Sequence, residues 1–286
     1  MFDWENLRVF IAVAETGGLS AAARRLQVDH ATVSRRLAAL EAELSVRLVE
    51  RLPRACRLTA AGEQVLVQAT RMQDGAFGVA RAARAEQASM QGKVTLSVPP
   101  VLAAPFYAAH LGALRQRHPG LTLSMPSQAQ SVSLGRREAD IAVRLFRPAE
   151  PDNVTRRLGR MPFALYASHD YPAAARPEDW GFIAYDAQYD DMPHQRWVLG
   201  VAGTRPVVCE ISDIATQQVV ARSGLGVAGL PTFLGDADPT LQRLPWQGEP
   251  FERELWRVVH ADLRHSPLIR AVSEFLDEVT APVFGG

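Results

Sequence analysis

Cysteine is nearly absent from this sequence. Cys56 and Cys209 are the two thiols among 286 residues, and neither lies in a Cys-x-x-Cys pair. Two thiols in a chain of this length do not make the disulfide framework of a small secreted protein. A redox switch built on them has no supporting motif. With 47% hydrophobic and 22% charged residues, the composition is that of an ordinary globular protein.

Lysine is also nearly missing, because Lys93 is the single lysine among 31 basic residues. Thirty-one acidic residues bring the formal net charge to zero. The overall charge therefore gives no indication of nucleic-acid binding, which has to be argued from local charge. An excess of arginine is typical of a GC-rich genome, although arginine also binds phosphate and guanine in a bidentate way that lysine cannot.

Long apolar segments are missing as well. No uncharged apolar run approaches the ~18 residues of a membrane span. The first residues, 1–5, contain no basic stretch followed by an apolar run, so they do not resemble a signal peptide. We therefore expect a cytoplasmic protein that does not associate with membranes.

The first 45 residues have the pattern of three short helices. Asp3 is placed to cap the first helix, which should end at residues 16–18, Thr-Gly-Gly. Ser20 is placed to cap a second, alanine-rich helix over residues 21–27. Asp29 is placed to cap a third helix, from His30 to about residue 44. Apolar residues in this third helix are spaced four, three and four apart, which predicts a buried face. They are Val33, Leu37, Leu40 and Leu44.

Residues 45–58 are short and extended, and Pro53 forbids a helix there. Arg51, Arg54 and Arg57 alternate with apolar or small residues. This alternation predicts a two-stranded wing with basic groups on its outer side.

A long helix should follow, from the cap residue Thr59 to about Met90. Its small and apolar residues fit a heptad repeat, with Glu86 at the one polar seam position. A sustained heptad favours a seam between two helices, which predicts a dimer; the alternative is an exposed amphipathic helix. The seam positions are Val65, Ala69, Met72, Ala76, Val79, Ala83 and Met90.

Short strand-like runs alternate with helical stretches from residue 92 onward, for example at 94–98, 121–125 and 141–143. A second such region spans about 161–260, and residues 266–280 have the pattern of a terminal helix. Alternating strands and helices predict parallel α/β layers. The predicted organisation is a DNA-binding domain at 1–58, a linker helix at 59–91 and an α/β domain at 92–286. Its first lobe would take about 92–160 and 262–286, and its second about 161–261.

The second and third predicted helices have the arrangement of a helix-turn-helix. A short helix is followed by a tight turn and by a helix with polar residues in its first turn. The second helix of such a motif enters the major groove, with its N-terminal residues at the base edges. Nine arginines and seven acids lie in the first 60 residues, so a basic surface requires the acids on the back face. The predicted DNA-binding residues are Ser20, Arg24, His30, Ala31, Thr32, Ser34, Arg35, Arg36, Arg51 and Arg54.

These residues resemble the opening of LysR-type transcriptional regulators. The resemblance rests on the segments 7–17, 20–26, 33–44, 47–51 and 58–62, which occur in the order and spacing of the family. Two positions depart from it. Asp29-His30-Ala31 stands where the family often has Ser-Gln-Pro, which changes the base-reading turn, and Val49 stands where Phe is usual.

The resemblance implies a C-terminal effector domain with two α/β lobes, like a periplasmic binding protein, and a small ligand between them. Segments 135–144 and 224–231 resemble the family's segments in the first and second lobes. Ligands of such sheets lie beyond the carboxyl ends of the strands and at helix N-termini. The predicted effector-binding residues are Ser97, Pro99, Pro100, Val101, Ser127, Gln128, Arg144, Ser212 and Asp213. Each has a plain structural alternative: Ser212 and Asp213 as helix caps, and Arg144 as an ion-pair partner.

The leading hypothesis is therefore a winged helix-turn-helix regulator with an α/β effector domain. The implied partners are double-stranded DNA, a small effector such as a carboxylate or aromatic compound, RNA polymerase, and a second copy of the chain in a homodimer or homotetramer. The alternative is an enzyme or solute-binding domain with a helical module, but no catalytic motif is present. Residues 185–197 could form a metal site or a flap, although a solvent-exposed loop is favoured. No cofactor is expected.

Overall fold

The computed structural model describes residues 2–52, 55–85, 90–126, 139–150 and 153–285, apart from the side chains of residues 77 and 80–85. The chain divides into two compact units, Met1–Ala83 and Arg84–Gly286. Three predicted site residues, Arg54, Ser127 and Gln128, lie outside the described residues, as does the linker helix over residues 86–89.

Three helices open the first unit: α1 (Trp4–Thr16), α2 (Leu19–Leu26) and α3 (His30–Leu44). Asp3 caps α1 by accepting a hydrogen bond from the backbone N–H of Glu5. Gly17 ends α1 in the left-handed conformation, which glycine adopts without steric cost. The predicted cap of α2 is wrong. That helix begins one residue before Ser20, with Gly18 at the N-cap position and no side-chain hydrogen bond.

The buried face predicted for α3 is confirmed, because Val33, Leu37 and Leu40 are fully buried. They pack against Phe10 and Ile11 of α1, while Leu44 is only partly buried at the edge of the same core. These contacts fix which side of α3 faces outward.

The predicted wing is present as two antiparallel strands, β1 (Val49–Arg51) and β2 (Cys56–Leu58). Arg51 and Arg57 are both exposed. Glu41 of α3 holds the start of the wing, since its Oε1 accepts hydrogen bonds from the backbone N–H groups of Leu48 and Val49, at 2.8 and 3.2 Å.

The long helix α4 (Ala60–Ala85) follows the wing. Thr59 caps it as predicted, since Oγ1 of Thr59 accepts from the backbone N–H of Gly62 at 2.9 Å. Only glycine fits at position 62, because a Cβ there would lie 2.1 Å from the carbonyl oxygen of Leu48. Ala69 of α4 is buried in the core of the first unit.

Nine strands form one sheet in the described part of the second unit. Two of them are much longer than the rest. The strands are β3 (Gly92–Ser97), β4 (Leu121–Ser124), β5 (Ile141–Arg144), β6 (Asn153–Ser168), β7 (Phe182–Ala184), β8 (Val207–Glu210), β9 (Val227–Pro231), β10 (Leu241–Leu244) and β11 (Phe251–His260). The main path is β4-β3-β5-β11-β6-β9-β7-β8, with β10 also paired to β6.

Parallel pairing is confirmed only in the outer parts of this sheet, where β3 pairs with β4 and β5, and β7 pairs with β8 and β9. The long strands β6 and β11 run antiparallel through the centre, where the prediction of parallel α/β layers is wrong. Gly159 and Pro162 interrupt the strand-like pattern in the sequence, so the pattern does not predict that β6 is one strand of 16 residues. The strand β11 lies in the predicted second lobe, but its residues 256–259 pair with β5 of the predicted first lobe.

Six helices cover the sheet in the described residues: α5 (Pro100–Ala103), α6 (Leu111–Arg117), α7 (Pro193–Ala202), α8 (Ile214–Arg222), α9 (Thr232–Gly235) and α10 (Pro267–Phe284). The predicted terminal helix is confirmed by α10, which buries Ile269, Val272 and Phe275.

The favoured interpretation of residues 185–197 as a solvent-exposed loop is wrong over its last five residues. Helix α7 starts at Pro193, and His194 is almost fully buried. Gln195 fixes the helix to the preceding strand, because its side-chain amide donates to the carbonyl of Tyr185 and accepts from the N–H of the same residue.

Candidate nucleic-acid interface and effector site

The first turn of α3 presents polar and basic groups on the side opposite the core. His30, Ala31 and Arg35 are exposed, and Ser34 and Arg36 are partly exposed. This pattern follows from the burial of Val33 and Leu37, since helical positions next to a buried stripe point outward.

Asp29 and Thr32 build the start of α3 together. Oδ1 of Asp29 accepts from the backbone N–H of Thr32 at 2.5 Å, and its Oδ2 accepts from the Thr32 hydroxyl at 3.1 Å. The backbone hydrogen bond from Thr32 is the main cause that lowers the pKa of Asp29. The Thr32 hydroxyl is therefore engaged in holding the turn.

A polar cleft of about 280 Å³ lies beside this turn. Ser20, Arg24, His30 and Arg51 all line it, so the fold brings together four predicted DNA-binding residues from α2, α3 and the wing. A hydrogen bond also joins the wing to α3, because Nη1 of Arg51 donates to Oγ of Ser34 at 3.2 Å.

Several acids of the first unit have partners of their own. Glu15 lies 2.7 Å from Arg25, Glu5 lies 2.6 Å from Arg8, and Glu41 accepts from the wing backbone. Each ion pair neutralises one arginine and one acid, so the net charge of the first 60 residues stays at plus two.

In the second unit, the fold brings together Ser97 and Arg144, which are 47 residues apart. Ser97 ends β3, Arg144 ends the neighbouring parallel strand β5, and both are buried. Nη1 of Arg144 donates to Oγ of Ser97 at 3.0 Å and to the carbonyl of Val143. The guanidinium is thus held inside the domain.

The other predicted effector residues divide into two groups. Pro99 and Pro100 begin α5 at the end of β3, and Val101 is buried. Asp213 caps α8 by accepting from the backbone N–H groups of Ala215 and Thr216, at 2.9 and 3.1 Å. Ser212 is exposed beside it. The carboxylate of Asp213 therefore caps the N-terminus of α8.

An aromatic cluster that the sequence analysis missed lies on α7 and the long strands. The ring centroids of His194 and Phe163 lie 4.9 Å apart with the planes tilted by 39°, and Trp197 stacks on Phe251 at 5.1 Å with an interplanar angle of 10°. Nε2 of His194 lies 2.7 Å from the carbonyl of Gly229, while its Nδ1 is buried with no partner in the described structure. Burial is the main cause that lowers the pKa of His194 to about 4, so the ring is neutral.

The period of two in residues 251–255 is the sequence signal for this cluster. Phe251, Arg253 and Leu255 alternate with the acids Glu252 and Glu254, which places an arginine on the apolar face of a strand. Arg253 is half-buried there, and burial lowers the pKa of its guanidinium.

Comparison with known proteins agrees with this architecture. The family model described as "Bacterial regulatory helix-turn-helix protein, lysR family" matches residues 4–63, and "LysR substrate binding domain" matches residues 87–281. The chain belongs to the LysR family. It is accordingly a DNA-binding transcriptional regulator with a substrate-binding effector domain, and the predicted family and fold class are confirmed.

Curated relatives of this LysR-type chain are regulators rather than enzymes. It is 28% identical to a Mau operon transcriptional activator of Paracoccus denitrificans, with 99% of each chain covered. It is 30% identical to the AhcY transcriptional activator HvrB of Rhodobacter capsulatus, with 79% of this chain and 80% of the relative covered.

Solved structures of similar fold include full-length regulators. A full-length OxyR variant from Pseudomonas aeruginosa matches with a TM-score of 0.61 at 22% identity, covering 98% of both chains. CrgA, a LysR-type transcriptional regulator from Neisseria meningitidis, matches with a TM-score of 0.57 at 24% identity, covering 97% of this chain and 99% of that chain.

Neither a membrane-spanning helix nor a metal-binding cluster occurs among the described residues. No helix among them is long and apolar enough to cross a membrane. No group of three or more histidine, cysteine, aspartate or glutamate side chains in the same residues is arranged to hold a metal ion.

Proposed function

We propose that this LysR-type regulator binds promoter DNA as a homodimer, with α3 of each protomer in the major groove. The observation that carries the proposal is the cleft in which Ser20, Arg24, His30 and Arg51 meet beside the exposed first turn of α3. One surface then offers groups for both phosphates and base edges, and the protein would act in the cytoplasm, where promoter DNA lies.

The exposure of each side chain suggests its role. Arg35 is exposed and can take a guanine in a bidentate way, and His30 and Ala31 stand next to it at the helix N-terminus. Arg24 and Arg51, which flank the cleft, suit phosphates on either side of the groove. Thr32, Ser34 and Arg36 are less exposed and would support these contacts, and Arg54 of the wing belongs to the same proposed surface.

An exposed apolar surface on α4 supports the proposed dimer. Met72 and Val79 of the predicted heptad are 47% and 74% exposed, which is unfavourable for apolar side chains in water. Met72 also lines a groove of about 650 Å³, together with Phe2 and Leu44 among others. A second copy of α4 would cover this surface and set two recognition helices about one DNA turn apart.

The exposed edge strand β8 supports a dimer of dimers in this proposal. It ends the main path of the described sheet, and Val207 and Val208 on it are exposed, as is Val219 on α8. Exposed apolar edges are ready to pair with another chain. A homotetramer formed there would change shape when the effector binds, and with it DNA bending and contact with RNA polymerase.

We further propose that the effector, a carboxylate or an aromatic compound, binds between two lobes at about 92–160 with 262–286 and 161–261. In this proposal the effector is faced from the first lobe by Ser97, Pro99, Pro100, Val101 and Arg144, with Ser127 and Gln128 as predicted from sequence. From the second lobe it is faced by Ser212 and Asp213. The meeting of Ser97 and Arg144 supports the first-lobe side of this site.

Binding of the purified chain to its own upstream DNA, measured over a range of salt concentrations, tests the proposal. We expect binding well above that to unrelated DNA, with the logarithm of the binding constant falling by roughly 0.9 for each phosphate contacted per unit of log salt. Equal affinity for both DNAs at physiological salt would contradict it.

A further inference from the structure

The sheet of the second unit narrows to two strands at its middle. Residues 159–162 of β6 and 252–255 of β11 pair with each other and with no other described strand. Beyond this waist β11 also pairs with β5, while β6 also pairs with β9 and β10. The waist therefore separates a first half of the sheet, with β3, β4 and β5, from a second half, with β7, β8, β9 and β10.

Two backbone features lie together at one end of the waist. Gly159 has a φ of +153°, which glycine adopts more readily than other residues. The register of β6 and β11 shifts between Leu255, which faces Gly159, and Trp256. An irregularity of this kind bends a strand and interrupts its local pairing. A two-stranded ribbon with both features is the part of the described sheet at which the two halves can turn relative to each other.

The C-terminal end of α10 covers this position. A Cβ at residue 159 would overlap the carbonyl oxygen of Phe284 and would lie 3.0 Å from the Cβ of Phe284, so only glycine fits. The helix ends at this point, because Pro282 lies in its last turn and the N–H of Gly285 donates to the carbonyl of Ala281. The end of α10 is therefore fixed against the waist.

The side chain of Phe284 contacts both halves of the sheet. Its ring is almost fully buried and lies edge-on to Phe106 at 5.0 Å and to Phe233 at 5.4 Å between centroids. Phe106 follows β3 and α5 in the first half, whereas Phe233 lies on α9, directly after β9 in the second half. Phe106 and Phe233 are 5.9 Å apart. Three rings from distant segments thus meet beside the waist.

These ring contacts depend on the orientation of the two halves. Edge-to-face aromatic pairs attract each other beyond the effect of burial, and they do so only at short range. A turn at the waist moves Phe106 relative to Phe233, so Phe284 cannot keep both partners during the turn. The cross-strand ion pair of Arg160 with Glu252 does not resist such a turn, because both side chains belong to the waist and are exposed.

We propose that Phe284, held between Phe106 and Phe233, is a clasp that fixes the relative orientation of the two halves of the sheet. The three rings are called the phenylalanine clasp below. The clasp goes beyond the proposed function, because it lies within the second unit and requires no particular effector. A ligand that turns the halves has to displace the Phe284 ring, so the clasp lowers the apparent affinity of any such ligand.

Hydrogen–deuterium exchange of the full-length protein, read by mass spectrometry, tests the clasp. F284A should speed exchange of the amides at 159–162 and 252–255 by roughly 10- to 100-fold, since two ring contacts are lost. Amides in the middle of β3 and β9 should exchange as in the original protein. V283A is the matched control, because Val283 is half-exposed in the same turn, and it should change neither set of amides.

The pattern of exchange distinguishes a clasp from an ordinary core residue. A similar increase throughout the second unit would show that Phe284 contributes to global stability only, and it would overturn the proposal. Unchanged exchange at the waist in F284A would overturn it as well.

Variants of Phe233 test the clasp from the other half. F233A removes the second-half contact without altering α10, and it should speed exchange at the waist in the same selective way. F284L keeps apolar volume without the ring, so it should give a smaller increase than F284A. F284L and F233A also carry the test if F284A does not fold. No change at the waist in F233A would contradict the clasp.

The double variant F233A/F284A shows whether the rings act together. Because both single variants break the same contact between Phe233 and Phe284, the increase at the waist in the double variant should be smaller than the product of the two single increases. An increase equal to that product would mean that the two rings stabilise their own halves independently, and the proposal would fail.

Discussion

Arg51 of the wing and Ser34 of the recognition helix are joined by a hydrogen bond of 3.2 Å, from Nη1 to Oγ, across 17 residues of sequence. The bond places the Arg51 guanidinium beside the side of α3 that faces away from the core. A wing fixed in this way can set a phosphate contact relative to the base-reading turn, so both elements would dock as one rigid surface.

Replacing Arg51 tests this coupling. Arg51→Ala should remove one phosphate contact per protomer, and hence two per dimer. The slope of log affinity against log salt should then become shallower by roughly two. Arg8→Ala is the matched control, since Arg8 is exposed on α1 and paired with Glu5. An unchanged slope for Arg51→Ala would show that the wing does not reach the phosphates.

Arg35 should affect DNA affinity without supporting the fold. Its side chain is exposed on α3, and the core behind it is formed by Val33 and Leu37. Arg35→Ala should therefore weaken binding to specific DNA by about tenfold or more, as expected for one lost base contact of 1–3 kcal/mol. Mobility-shift titration measures the affinity, and thermal denaturation should give nearly the same melting temperature. A large drop in that temperature would assign Arg35 a structural role instead.

Met72 should mark the dimer seam on α4. Because its side chain is 47% exposed within one protomer, Met72→Glu should leave the protomer folded and place two like charges in the seam. Size-exclusion chromatography with light scattering should then report monomers. Arg71→Glu changes charge at the neighbouring exposed position and should remain dimeric. Dimers that persist in Met72→Glu would count against the heptad.

His194 should make stability depend on pH. Its folded pKa of about 4 lies below the unfolded value of about 6.5, so the unfolded chain binds the proton more readily. The stabilisation is complete above pH 6.5 and is lost as pH falls toward 4, by roughly 3 kcal/mol at most.

Urea unfolding at pH 7 and pH 4.5 measures this loss against His194→Gln, which cannot take up that proton. The difference in unfolding free energy between the two proteins should shrink at the lower pH. His265→Gln alters an exposed histidine and should follow the original protein at both values. A constant difference for His194→Gln would mean that His194 titrates normally in the folded protein.

Local sequence was sufficient where neighbours along the chain decide the conformation. Asp3, Asp29 and Thr59 cap the helices they precede, and the spacing of Val33, Leu37 and Leu40 predicts the buried face of α3. Each depends on hydrogen bonds or periodicity within a few residues. The same logic failed at Ser20, because Gly18 and Leu19 start α2 earlier than the serine suggests.

The tertiary structure decided everything that depends on strand pairing. The strands β6 and β11 acquire their length from each other, because Gly159 and Pro162 would weaken an isolated strand. Their register puts Arg253 beside Phe163 and Phe251 and leaves its guanidinium without an acid among the described residues. It also places Arg144 against Ser97, which were predicted as separate contributors to one site. The sequence by itself thus determined the helix caps and the buried face of α3, because these depend on residues a few positions apart, whereas pairing between distant strands decided which side chains of the sheet meet.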